Sequence, residues 1–197
     1  MTKQHFSFKE VFMFGWSKTR QHAWFLVLTF IIASIISHAS RFIPVFDFVV
    51  SMMISLSLVS LSLKIVRDHS FTFADLYYPI LSSKRVIKFI VLSIIYVVAV
   101  GLGFVLLIVP GIYIAVRYFF YPYVAVEHED ADLQSLVKMS YRLTNNHFWP
   151  VLAFIILTIL LNILGAALLI VGLFVTVPVT MFATAYMYNR LKEHHAL

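Results

Sequence analysis

"FIVLSIIYVVAVGLGFVLLIVPGIYIAVRYFFYPYVAV", residues 89–126, carries a single charge, Arg117, and a single Pro-Gly step, Pro110-Gly111. It is too long for one crossing of a bilayer, which takes about 17–25 residues as a helix. The chain must therefore reverse inside it. Proline has no backbone N–H to donate, and glycine accepts the dihedrals of a tight turn. The sequence thus predicts a hairpin turn at Pro110 and Gly111, with one span over 89–109 and a shorter one over 112–126. The residues do not alternate apolar and polar, as the strands of a membrane β-barrel would.

Four further runs, 23–37, 43–63, 151–171 and 173–187, are apolar or weakly polar. The chain of 197 residues is 61% hydrophobic and only 12% charged. A soluble domain is about half apolar and about a quarter charged, so a water-soluble fold is excluded. The expected class is an all-α polytopic integral membrane bundle with about six transmembrane helices. The run at 23–37 reads as a span and not as a cleaved leader, because the pattern ahead of it recurs later in the chain. With no cysteine, neither disulfides nor thiolate metal sites are available.

The recurring pattern is an amphipathic segment ahead of each pair of runs. Phe8–Phe12, Phe73–Tyr77 and Leu133–Val137 align at offsets of 65 and then 60 residues. Ser7, Thr72 and Asp132 precede them as helix caps, whose side chains can accept from a first-turn N–H. Glu10 and Asp75 complete a capping-box pattern. One stripe holds Phe8, Val11, Phe12 and Trp16, and another Leu133, Leu136, Val137 and Tyr141, at the spacing of one helical face. Thr19, His22 and Trp24 return as Thr144, His147 and Trp149 at an offset of 125. Gly103 and the LLIV run at 106–109 return as Gly165 and the LLIV run at 168–171. The chain is thus expected to be one membrane domain of three repeats, about 6–69, 70–129 and 130–192, each an interfacial amphipathic helix followed by a transmembrane hairpin.

Every lysine and arginine except Arg41 and Arg117 lies in the segments around the amphipathic helices or in the C-terminal tail. Basic residues mark the cytoplasmic side. Both termini and all three interfacial helices are therefore expected inside, in a bacterial cytoplasmic (inner) membrane. The basic segments suit anionic lipid headgroups in the bilayer. They are too dispersed for a nucleic-acid surface. Serines in the second span and glycines and alanines in the third and fifth suit close helix packing.

Arg117 falls about 10 Å along a helix from Pro110, at about 1.5 Å per residue. A charge within a span calls for a partner or for snorkelling. Asp47 and Asn162 are the intramembrane polar candidates to meet it, either structurally or around an anionic ligand. No Walker A loop, zinc-protease helix or nucleophile elbow is present, and no catalytic, cofactor or metal site is expected. The acidic run Glu127–Asp130 reads as a solvated helix entrance, where acids suit the positive end of the next helix. His22, His147, Glu127 and Glu129 are the one group from which enzyme chemistry could be assembled.

Residues 106–152 run through Val109-Pro110-Gly111, an aromatic-rich short span, the acidic run, and an amphipathic helix carrying Leu136, Ser140, Leu143 and Thr144. An aromatic entry into the next span follows. This order resembles a large group of bacterial multi-pass membrane proteins that includes the YciC-like proteins and the membrane region attached to some glycerophosphodiester phosphodiesterases. The resemblance implies membership of such a group, not phosphodiesterase chemistry. The functional expectation is a non-enzymatic component that organises lipid or a membrane protein partner. The alternative is a small transporter or lipid-flipping protein with a site near Arg117 and Asn162.

Overall fold

The computed structural model describes residues 7–40, 44–67, 71–168 and 172–195. The turn expected around Arg41 lies outside them. Ten helices are present among the described residues, with no strand: α1 (Phe8–Gln21), α2 (Ala23–Ser40), α3 (Pro44–Val66), α4 (Ala74–Leu81), α5 (Ser83–Leu106), α6 (Ile108–Arg117), α7 (Tyr121–Glu127), α8 (Leu133–Thr144), α9 (Phe148–Ala167) and α10 (Leu173–His195). The helices α1, α4 and α8 precede α2, α5 and α9 respectively, while the middle stretch is broken into α5, α6 and α7.

Four stretches are long and apolar enough to cross a membrane: Asp47–Val66, Ser83–Leu106, Ile108–Glu127 and Phe148–Ala167. A fifth is reached if α1 and α2, which meet at 83°, are taken together as one bent span. The sixth expected run, 173–187, is helical within α10 but is diluted by Thr176, Thr180 and Thr184. The threonines are tolerated because α10 is central. Val179, Phe182, Ala183, Met187, Tyr188 and Leu191 are all buried in protein. Thr184 donates to the Thr180 carbonyl at 2.6 Å and Thr180 to the Val177 carbonyl at 3.0 Å, so these two hydroxyls satisfy themselves on their own helix, whereas Thr176 Oγ1 is buried without a partner.

The reversal between α5 and α6 falls three residues earlier than the Pro-Gly step. Leu107 alone breaks the helix, in an extended conformation, and α6 already includes Pro110 and Gly111. Proline is harmless there, because first-turn N–H groups have no intrahelical acceptor to lose. Gly111 serves a close crossing and not the turn. A Cβ on Gly103 would lie 2.8 Å from the Gly111 Cα, and one on Gly111 would lie 2.7 Å from the Phe104 ring. The α9–α10 hairpin repeats the crossing, since a Cβ on Gly172 would come within 2.4 Å of the Gly165 carbonyl oxygen.

Two of the three expected caps form. The Ser7 Oγ accepts from the Glu10 N–H at 3.4 Å, and Asp132 accepts from the Ser135 N–H at 3.1 Å. Thr72 does not cap. α4 starts one residue late, after Phe73, and the Thr72 hydroxyl donates to Asp75 instead of accepting a backbone N–H. Only the reciprocal half of the box is made, with the Thr72 N–H donating to Asp75 Oδ2 at 2.7 Å.

The expected stripes of α1 and α8 are met in part: Val11 and Leu136 are buried and Phe8, Phe12 and Val137 pack half-buried against the core, while Trp16, Leu133 and Tyr141 are exposed. On α1 the buried residues are Val11, Gly15 and Thr19; on α8 they include Leu136, Ser140 and Thr144. Each set runs i, i+4, i+8 with a small residue at its centre. Gly15 lies flush on α10, where a Cβ would sit 2.4 Å from the Val179 carbonyl oxygen. Close approach outweighs side-chain size here, so Trp16 is left 53% exposed.

The core sits towards one end of the bundle. Leu61, Ile65, Phe120, Val124, Leu136, Tyr188 and Leu191 are almost fully buried there. The far ends of α5, α6 and α9 instead expose Val105, Leu106, Val109, Ile163 and Leu164, a surface suited to lipid chains.

Candidate functional site: an arginine clasp and a charged end

Arg117 ends α6, and its guanidinium reaches across to the end of α8. Nη1 donates to the Thr144 carbonyl at 3.2 Å and approaches Asn145 Oδ1 at 3.4 Å. The Thr144 hydroxyl donates back to the Arg117 carbonyl at 3.0 Å. Two residues thus clasp each other through side chain and backbone in both directions. The guanidinium also lies 5.1 Å from the Tyr113 ring, 4.8 Å from Tyr141 and 5.6 Å from Phe148. Ring faces attract a cation. The carboxyl ends of α6 and α8 converge on the same charge, and a helix C-terminus carries partial negative charge. These groups surround the charge without a carboxylate, while Arg117 Nε is buried without a hydrogen-bond partner.

The corner that permits the clasp is Asn145-Asn146-His147. Asn146 takes φ 56°, a left-handed conformation that asparagine tolerates better than most residues. The corner carries α9 upward directly beside Arg117, with Tyr113 stacked on Phe148 at 5.7 Å.

Asp47 and Asn162 are not among Arg117's partners. Asp47 lies in the first turn of α3. Asn162 donates to Thr180 Oγ1 of α10 at 3.3 Å, and its own Oδ1 is buried without a partner. Phe148 touches Arg117, and Asn162 lies about 21 Å further along α9, at about 1.5 Å per residue. Asn162 is out of reach because α9 begins at the level of Arg117 and climbs away from it. A single site shared by Arg117 and Asn162 is not formed.

The acidic run is no solvated entrance. Glu127, at the end of α7, accepts from Arg67, just past α3, at 2.8 Å and from Lys192 of α10 at 2.7 Å, both on Oε1, while the Tyr188 hydroxyl donates to Oε2. Arg67 also holds Asn189 Oδ1. Glu129 binds Ser82 and Arg85, and Lys88 donates to the carbonyls of Glu129 and Ala131. Lys64 pairs with Asp75 at 2.6 Å. That hydrogen bond, with the Thr72 N–H, holds the Asp75 carboxyl below its ordinary range. The sequence shows these acids and bases but does not pair partners that lie from 11 to 65 residues apart.

No family model, curated protein or solved structure matches the chain. The site must therefore be read from its own chemistry. Among the described residues no three histidines, aspartates or glutamates gather at metal-binding range. His22 packs edge-on against Phe71 at 4.9 Å, while Glu127 and Glu129 are engaged by cations. What the surface offers instead is aromatic and basic. Trp24, at the foot of α2, is 83% exposed, and Trp149, at the foot of α9, is 75% exposed. Tyr77, Tyr78 and Leu81 of α4 are exposed as well, and so are Lys9, Arg20, Lys84, Lys138 and Arg142 nearby along the chain.

Proposed function

We propose that this is a multi-pass protein of a bacterial cytoplasmic membrane, with six spans in three units and both termini inside, and that it organises lipid around itself without catalysing a reaction on it. The resemblance of residues 106–152 to the YciC-like group belongs to the same reading. The observation that carries it is the pair Trp24 and Trp149. They occupy equivalent places at an offset of 125, each five residues after a buried threonine, and both stand free at the entry to a long apolar helix. Tryptophan favours the headgroup level. Lysines and arginines beside it favour anionic lipid by about 1 kcal/mol each near the surface.

The test is energy transfer from tryptophan to dansyl-labelled lipid in reconstituted vesicles. Transfer to labelled phosphatidylglycerol is expected to exceed transfer to labelled phosphatidylcholine, and the excess is expected to fall as salt screens the charges. It should drop further in the Trp24→Phe, Trp149→Phe double variant. Equal transfer to both lipids at low salt would sink the proposal.

A further inference from the structure

A cleft of about 750 Å³ opens at the charged end, between the last residues of α3 and the C-terminal part of α10. Its donors are Arg67, Asn189, Arg190 and Lys192, and its acids are Glu127 and Glu193. Glu127 is already engaged. Arg67 and Lys192 both reach its Oε1, at 2.8 and 2.7 Å, so two cationic nitrogens stand within the reach of one small anion.

The contacts do not exhaust the donors. Arg67 uses Nε and Nη2, leaving Nη1. Arg190 uses Nε and Nη2 on Tyr186 and Glu10, again leaving Nη1. Lys192 makes a single bond from an ammonium that has three donors. Asn189 accepts twice on its oxygen and uses none of its amide N–H donors in these contacts. Spare, mostly charged donors around an open space suit a ligand that is all acceptor. Planar guanidinium groups match the oxygens of a phosphate in particular.

The geometry points to a phosphate-binding cleft at Arg67, Asn189, Arg190 and Lys192, which takes a phosphomonoester or pyrophosphate group from a lipid headgroup or from a soluble molecule. This site is separate from the tryptophan surface and does not depend on how that surface meets lipid.

The experiment uses the full chain in nanodiscs of phosphatidylcholine. Calorimetry follows inorganic pyrophosphate in one arm and dioctanoyl phosphatidic acid in the other. Arg190→Gln is the informative variant, because it leaves the Arg67–Glu127–Lys192 contacts in place. Arg20→Gln, an exposed arginine on α1, is the control for bulk charge. Saturable binding that weakens about tenfold in Arg190→Gln and is unchanged in Arg20→Gln supports the cleft. Binding of pyrophosphate without binding of phosphatidic acid marks a soluble phosphate as the source, and binding of phosphatidic acid marks a headgroup as one that the cleft accepts. No saturable heat in either arm overturns the proposal, and so does equal weakening by both substitutions.

Discussion

Arg117 shows how a cation can be held in a largely apolar segment by neutral groups. A carbonyl, an amide oxygen, ring faces and two helix ends supply what a carboxylate otherwise would. The arrangement needs a planar donor that can hydrogen-bond in its plane while rings cover its face. Lysine offers neither. Arg117→Lys is therefore expected to destabilise by about 2 kcal/mol, from one charged hydrogen bond and the stacking, although the charge is kept. Arg117→Gln should cost a similar amount while still inserting into the membrane. Melting in mild detergent, with membrane fractionation as the insertion check, reads both. A Lys variant that melts with the parent would show that charge alone matters. The sequence announced that Arg117 needs compensation, but it named Asp47 and Asn162. A partner sought by depth along straight helices misses Thr144, because the left-handed turn at Asn146 sets where α9 begins.

At the scale of the element, small residues decide which face is buried. The stripes of α1 and α8 are expected to gather the large apolar residues on one face. In the fold, Val11-Gly15-Thr19 and Leu136-Ser140-Thr144 turn inward. Had close approach been weighed with size, the glycine and serine at equivalent places would have pointed to this. Four of the six expected spans were legible, because an apolar run needs no tertiary information. The hairpin break was legible only to within a few residues, since proline is as comfortable in a first helical turn as in a loop. Gly15 and Gly101 separate the two reasons for a helical glycine. A methyl at Gly15 meets backbone of α10 at 2.4 Å, whereas one at Gly101 meets nothing within 4 Å. Gly15→Ala is expected to push α1 off α10 and cost about 1–3 kcal/mol, as overpacking does. Gly101→Ala should be neutral or stabilise by about 0.5–1 kcal/mol through helix propensity. Thermal melts of the two variants side by side decide it, and a loss at both sites would mean that Gly101 packs against something outside this chain.

Over the whole molecule, one carboxylate joins distant parts of the chain. Glu127 ties the ends of α3, α7 and α10 together at the end where the core is densest. Its side chain is 14% exposed, against 56% for Glu10, which pairs with Arg190 at 2.9 Å. Burial sets the difference between the two. An exposed pair is worth about 0–1 kcal/mol, since water and salt screen it and both side chains lose freedom. Removing one partner of a buried pair costs roughly 3–5 kcal/mol, because the other charges stay desolvated without an opposite. Glu127 is not fully dry, so Glu127→Gln is expected to lose about 2 kcal/mol, below that range. Glu10→Gln should stay within about 1 kcal/mol of the parent. Glu127→Gln also frees Arg67 and Lys192 and adds one net positive charge to the cleft they line. Glu127→Gln should therefore melt earlier than the parent yet gain more stability than the parent when pyrophosphate is added, as a ligand bound only by the folded state requires. Melting curves with and without pyrophosphate distinguish the two roles of the cluster. A variant that melts early and gains nothing from pyrophosphate leaves Glu127 as a fastener of helices and removes the reason to regard its cations as available to a ligand.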